Sequence, residues 1–191
     1  HILMDLLKYT LRIADSSIIL GQRLSSWCSK GPTLEEDIAL SNLSLDLFGQ
    51  TNALLEYASK LDGTKSADDF AFKRNEREFY NLQLTEQPNG HFGDTIIRHF
   101  LFSVYSFLFY SKLSNSKDET LAAIAAKSLK EIKYHLTHSK SWVIRLGDGT
   151  EKSNKRIQKS LNNLWQFTGE FFEMDEIDQK MYKEEIGVNN S

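Results

Sequence analysis

The sequence predicts an all-α bundle. Apolar residues recur every three or four positions along four long stretches, only two prolines interrupt the chain, and one polar connection divides the stretches into two pairs. A period near 3.6 places such residues on one helix face, where they can bury against a neighbour.

The first helix is expected over 3–27, where Leu3, Leu7, Leu11, Ala14, Ile18, Leu20, Leu24 and Trp27 mark the face. Gly31-Pro32 ends it. Thr33-Leu34-Glu35-Glu36 then reads as a capping box, with the Thr hydroxyl and the Glu36 carboxylate satisfying free N–H groups. The second helix runs to about 61 and stops at Gly63. Leu40, Leu43, Leu45, Leu47, Phe48, Leu54 and Leu55 make it apolar on several sides, which predicts a central position. Residues 64–90 are polar and carry no strand pattern. Short helical pieces are expected around 68–73 and 76–82, and Pro88-Asn89-Gly90 signals a turn.

The third helix covers 92–113 through Ile96, Ile97, Phe100, Leu101, Val104, Phe107 and Leu108. Ser116-Lys117-Asp118-Glu119 reads as a second capping box. The fourth helix continues to about 146, and Gly147-Asp148-Gly149 stops it with a glycine in the left-handed conformation. The fifth spans 151–172, with Ile157, Leu161, Leu164, Trp165, Phe171 and Phe172 on one face, and a short last helix lies within 175–185. Two long helices, a long crossover, two more long helices and extra C-terminal helices make a ferritin-like four-helix bundle, expected as a single domain over 1–191.

Composition narrows the function. The net charge of −3 argues against a general nucleic-acid binder, which needs a basic face to displace counterions. A single cysteine, Cys28, cannot form an intramolecular disulfide, and a quiet, partly buried thiol is the expectation there. No apolar run approaches the roughly 20 residues that span a bilayer. Asp5, Lys8, Arg12 and Asp15 make the N-terminal segment unlike a signal peptide. A cytoplasmic protein is expected.

Ferritin-like bundles use their centre for a carboxylate-bridged metal pair. One helix pair gives a Glu each, and the other pair gives a Glu-x-x-His each. This chain lacks that set. No Glu-x-x-His occurs: Ile96, Ile132 and His135 stand three residues before His99, His135 and His138. The first helix holds Asp15 as its only mid-helix acid, and the third holds no Glu, with Asp94 at its start. No metal and no other cofactor is therefore expected in this chain, and no catalytic residue is assigned. Polar residues still line the place. Asn42, Asp46 and Gln50 form a stripe at four-residue spacing on the second helix, and Glu131, His135 and His138 form another on the fourth. They read either as metal or proton chemistry or as a hydrogen-bonded polar layer in place of a lost site; the need of buried polar groups for partners favours the layer.

Other signals are weaker. Gly147-Asp148-Gly149 lacks the phosphate-loop spacing. Lys152, Lys155, Arg156 and Lys159 form a basic face that reads as solvated or as a seat for an anionic ligand or acidic partner. The aromatic run Phe100, Tyr105, Phe107, Phe109, Tyr110 offers more apolar surface than one bundle face needs, which suggests packing against another subunit as a second use.

Several segments resemble a known family. Glu35-Glu36-Asp37-Ile38-Ala39-Leu40 through Asp46-Leu47-Phe48-Gly49-Gln50, Asn75-Glu76-Arg77-Glu78-Phe79 through Glu86-Gln87-Pro88-Asn89-Gly90, Lys130-Glu131-Ile132-Lys133-Tyr134-His135, Arg145-Leu146-Gly147-Asp148-Gly149-Thr150 and Leu164-Trp165-Gln166-Phe167-Thr168-Gly169-Glu170 are similar to the phenylacetyl-CoA epoxidase C-subunit family. The resemblance covers almost the whole chain in order. It implies a structural subunit that pairs with a related A subunit, which carries the di-iron site and binds the CoA thioester. The complex, with its other subunits and a reductase, forms a ring epoxide in bacterial phenylacetate breakdown. In the catalytic relative a Glu is expected where Ile132 stands here. The resemblance also implies further helical sequence beyond Ser191, hence a chain shortened at its C terminus. A hetero-oligomer is expected, with a homodimer open for the isolated chain. Two other readings stay open: a free-standing metal-dependent oxidase with an atypical site, and a helical module that binds a CoA ester.

Overall fold

The computed structural model describes every residue except Cys28, so the expectation for that thiol lies outside the described residues. The elements are α1 (Ile2–Ser25), α2 (Leu34–Asp62), α3 (Ala67–Phe72), α4 (Gln83–Glu86), α5 (Phe92–Leu113), α6 (Glu119–Gly147), α7 (Glu151–Trp165) and α8 (Glu176–Lys183), with 3-10 turns at Glu76–Glu78 and Gly169–Phe172. No strand occurs among the described residues, and none of their helices is long and apolar enough to cross a membrane.

α1 lies antiparallel on α2, and α5 antiparallel on α6. One apolar cluster joins Leu20 and Leu24 of α1 to Leu40 and Leu43 of α2, and a second joins Leu6 and Ala14 to Leu54 and Ala58. Gly21 lets the first pair approach closely. A Cβ there would lie 2.9 Å from the Phe48 ring, and the Gly21 carbonyl accepts the Ser44 hydroxyl at 2.8 Å. The two pairs meet through α2 and α6 in one antiparallel register, read from Glu36–Trp142, Asp46–His135, Gln50–Glu131 and Tyr57–Asp118.

The crossover runs back along α1. Asp15 of α1 is fully buried and accepts two bonds from Arg74, at 2.5 and 3.0 Å, and one from the Tyr80 amide at 2.9 Å. Ser16 takes the Leu82 amide. At the far end Arg98, also fully buried, donates to the Gln87 carbonyl and the Asn89 side chain, both at 2.8 Å, and so fixes the Pro88 turn against α5. Burial, and then Arg23 nearby, lower the Arg98 pKa to about 10.

Several expectations change. Leu3 is exposed, so the α1 face begins at Leu6. Leu45 and Ile38 point outward on α2. The fifth helix ends at Trp165 instead of 172: the Phe167 and Thr168 amides bond three residues back and tighten the chain into a turn, and Trp165 and Phe172 are left exposed. At 147–149 no residue takes a positive φ; the left-handed helix stop is Gly63, at φ 85°. The end of α6 is closed by Ser153 and Asn154, which donate to the carbonyls of Leu146 and Gly147, so those glycines form no phosphate loop. Before α6 the cap is Asp118, which accepts from the Leu121 amide; Ser116 accepts only from the Asp118 amide.

Candidate functional site

The centre of the bundle is built from three helices. α2 supplies Asp46 and Gln50, α5 supplies His99, and α6 supplies Glu131 and His135. His99 Nε2 lies 3.0 Å from His135 Nδ1, and His135 Nε2 lies 2.9 Å from Asp46 Oδ2. Gln50 Nε2 donates to Glu131 Oε1 at 3.2 Å, and Glu131 also faces Asp46. Four of the five residues expected in the layer are thus brought together.

The fifth, Asn42, is exposed and stays outside it. A step of four residues advances a helix by about 40° beyond a full turn. The stripe therefore rotates away from the core: Gln50 is buried, Asp46 half-buried and Asn42 outside.

Spacing along the chain hides the parts played by His99, in the centre, and by Glu36, beside it on α2. His99 sits on the apolar face of α5, where it shows in sequence only as a histidine without the Glu of a Glu-x-x-His pair. Glu36 reads as the return half of a capping box. In the structure only the first half of that box forms, with Thr33 Oγ1 accepting from the Glu36 amide at 3.1 Å. The Glu36 carboxylate turns inward, accepts the Trp142 indole N–H at 2.9 Å, and lies 2.8 Å from His138 Nε2 without hydrogen-bond alignment. His138 is thereby mostly buried. Only a partner on another helix reveals such roles.

Electrostatics give the layer a direction. The Asp46 carboxyl is held below its usual range by its hydrogen bond with His135. Glu131 is pushed up by burial, against the pull of Gln50, and further by Asp46. His99 is driven well below the ordinary 6.5 by burial, then by His135, Arg98 and His138, so it is neutral. If His135 Nε2–H donates to Asp46, its Nδ1 accepts from His99 Nε2–H, and His99 Nδ1 is left as a bare acceptor. That atom is buried and has no partner.

These residues do not fit a di-iron pair. α1 offers Asp15 as its only mid-helix acid, which Arg74 holds outside the layer, and α5 offers one imidazole already bonded to its neighbour. Among the described residues no group of three or more His, Cys, Asp or Glu is placed to hold a metal ion. The arrangement bonds α2, α5 and α6 together and orders protons along one line.

Residues 3–191 match the family described as phenylacetic acid catabolic protein. The chain belongs to that family. It is 47% identical over 185 residues to the C subunit of 1,2-phenylacetyl-CoA epoxidase from Escherichia coli (strain K12), a match that covers 97% of this chain and 75% of that protein. Family membership agrees with the all-α, ferritin-like bundle expected from the helix order. Elsewhere, the basic face of α7 is exposed along Lys152, Arg156 and Lys159, and Lys155 pairs with Glu151 at 2.9 Å. Of the aromatic run, Phe109 and Tyr110 enter the core, and Phe100 lines an outward apolar groove with Leu108, Trp165 and Phe172.

Proposed function

We propose that this chain is a non-catalytic structural subunit of a multicomponent phenylacetyl-CoA epoxidase and pairs with a di-iron catalytic subunit in phenylacetate breakdown. One observation carries the reading. At the place where a catalytic ferritin-like chain directs carboxylates and imidazoles at two metals, the side chains here bond to one another through His99–His135–Asp46 and Gln50–Glu131. The likeness to the bacterial epoxidase component supplies the complex. The chain would then act by packing against the catalytic subunit and holding it in position.

Metal analysis of the purified chain, alone and after co-expression with the catalytic subunit, tests this. The expected result is no iron alone, and a stable iron-bearing complex on co-expression. Near-stoichiometric iron in the isolated chain would overturn the proposal and favour an oxidase with an atypical site. The unpaired Lys152, Arg156 and Lys159 favour a second reading, recognition of CoA phosphates. Calorimetry with phenylacetyl-CoA on the isolated chain separates it, because a scaffold alone gives no binding heat.

A further inference from the structure

The outer side of α6 carries a ridge that the polar layer does not use. Lys130, Lys133, Tyr134, Thr137, Lys140 and Ile144 recur at steps of three and four residues, the spacing of neighbours on one side of a helix. All six are exposed.

The charge of this helix is one-sided. From Lys127 to Arg145 it carries five cations and one acid, Glu131. Glu131 turns to Gln50, and Lys127 acts on it without closing an ion pair. Arg145 lies over the Trp142 ring, 4.6 Å from its centre. Lys130, Lys133 and Lys140 have no acid three or four residues away on either side. Lys130 instead has Lys127 and Lys133 at that spacing, where like charges repel. Elsewhere the chain pairs its cations: Arg12 reaches Asp175, Lys73 reaches Asp69, Arg74 reaches Asp15 and Lys180 reaches Asp5. α7 continues the imbalance. Residues 127–159 hold nine Lys and Arg against three acids, whereas the rest of the chain holds 14 against 23. A positive region on an otherwise acidic protein steers an acidic partner to one side of the molecule.

Two features point to the class of partner. Lys130 to Ile144 spans about 21 Å at 1.5 Å per residue, longer than one small anion. Tyr134 and Ile144, each about half exposed, lie among the lysines. An aliphatic side chain has nothing to offer a phosphate backbone, whereas a protein interface sets apolar and aromatic groups within a charged rim. A second copy of the chain does not fit, because a two-fold contact of this ridge with itself would set lysine against lysine.

We infer that the outer ridge of α6 docks a protein partner by an acidic face of that partner, with Tyr134 and Ile144 as apolar anchors. The inference rests on reading the chain as a subunit of a multicomponent complex, and it adds the surface and the chemistry of the contact.

The test titrates the 1–191 chain with each separately purified component of the epoxidase, at about 0.05 and about 0.3 M salt. One component should bind, and its affinity should fall about tenfold at the higher salt. The triple variant Lys130→Glu, Lys133→Glu and Lys140→Glu should lose about a hundredfold at low salt and most of the salt dependence. Ile144→Ser should weaken binding about tenfold at both salts alike. Every changed position is exposed, so the helical circular dichroism should stay that of the wild type. Lys60→Glu with Lys183→Glu reverses two exposed cations on α2 and α8 and should leave the affinity within about twofold. Binding that the triple variant keeps as well as this control would overturn the ridge and leave the subunit reading in place. No binding of any component to the wild-type chain would overturn both. A duplex oligonucleotide that binds the wild type and not the triple variant would give the ridge to nucleic acid and overturn the inference.

Discussion

His99 sets the pH response of the polar layer. It faces His135, with Asp46 behind, His138 on the same helix as His135, and Arg98 next to it in sequence. Burial holds it neutral in the folded chain far below 6.5, while the unfolded chain takes up a proton there near 6.5. The unfolded state thus binds more protons in the window from 6.5 downward to the folded pKa. Stability contributed by a neutral His99 is complete above 6.5 and is lost as pH falls through that window, by about 1.4 kcal/mol per pH unit. Urea unfolding at pH 7.5 and 5.5 should show that extra loss in the wild type, and His99→Asn should lack it. The difference between the two proteins isolates this residue from the carboxylates, which titrate in both. Identical pH slopes would show that His99 takes up its proton as readily in the fold as in the unfolded chain.

Asp15 and Arg74 tie α1 to the crossover, and their pairing has a different consequence. Asp15 is fully buried and Arg74 is nearly so; burial raises the Asp15 pKa against the opposing pull of Arg74 and the Tyr80 amide. Arg74→Met would strand a carboxylate and is expected to cost about 3–5 kcal/mol. Asp15→Leu with Arg74→Met removes both charges and should recover most of that loss, although the Tyr80 amide then needs water. Denaturant midpoints of the two variants check this; equal losses would mean that the pair contributes packing and not charge compensation. The pairing was invisible in the sequence, where Asp15 stood only as a lone mid-helix acid. The long helices were legible because their apolar period continues over many turns: α2, α5 and α6 end within about a turn of their expected bounds. The end of α7 was not. Phe171 and Phe172 prolong the apolar pattern past Gly169, but the chain tightens after Leu164 and reaches Phe171 as a 3-10 turn, which still buries Phe171. In the site, Asp46, Gln50, Glu131 and His135 showed as polar breaks in apolar helices. His99 and Glu36 gain their meaning only from α6, which the chain brings alongside after 36 residues or more.

The whole bundle holds two apolar clusters, and on α2 and α6 the polar layer falls between them. Gln50 sits between Leu47 and Leu54, and His135 between Ile132 and Val143. An apolar layer of similar volume would bury the same helices without desolvating imidazoles and a carboxylate. Replacing buried ionic groups in this way is neutral or stabilising by about 1–4 kcal/mol in other folds. The triple change His99→Leu, His135→Leu and Asp46→Leu should therefore leave the helical content intact and raise the denaturation midpoint. Its effect on function divides the two chemistries open to this layer. A scaffold needs only the outer faces of the bundle, so the triple variant should co-purify with the catalytic subunit and support undiminished epoxidation. A proton path or an atypical metal centre needs the imidazoles themselves. Full assembly with lost turnover would therefore place chemistry in this chain and overturn its structural role. Loss of assembly together with lower stability would instead show that the layer fixes helix register for the partner, a structural role exerted from within.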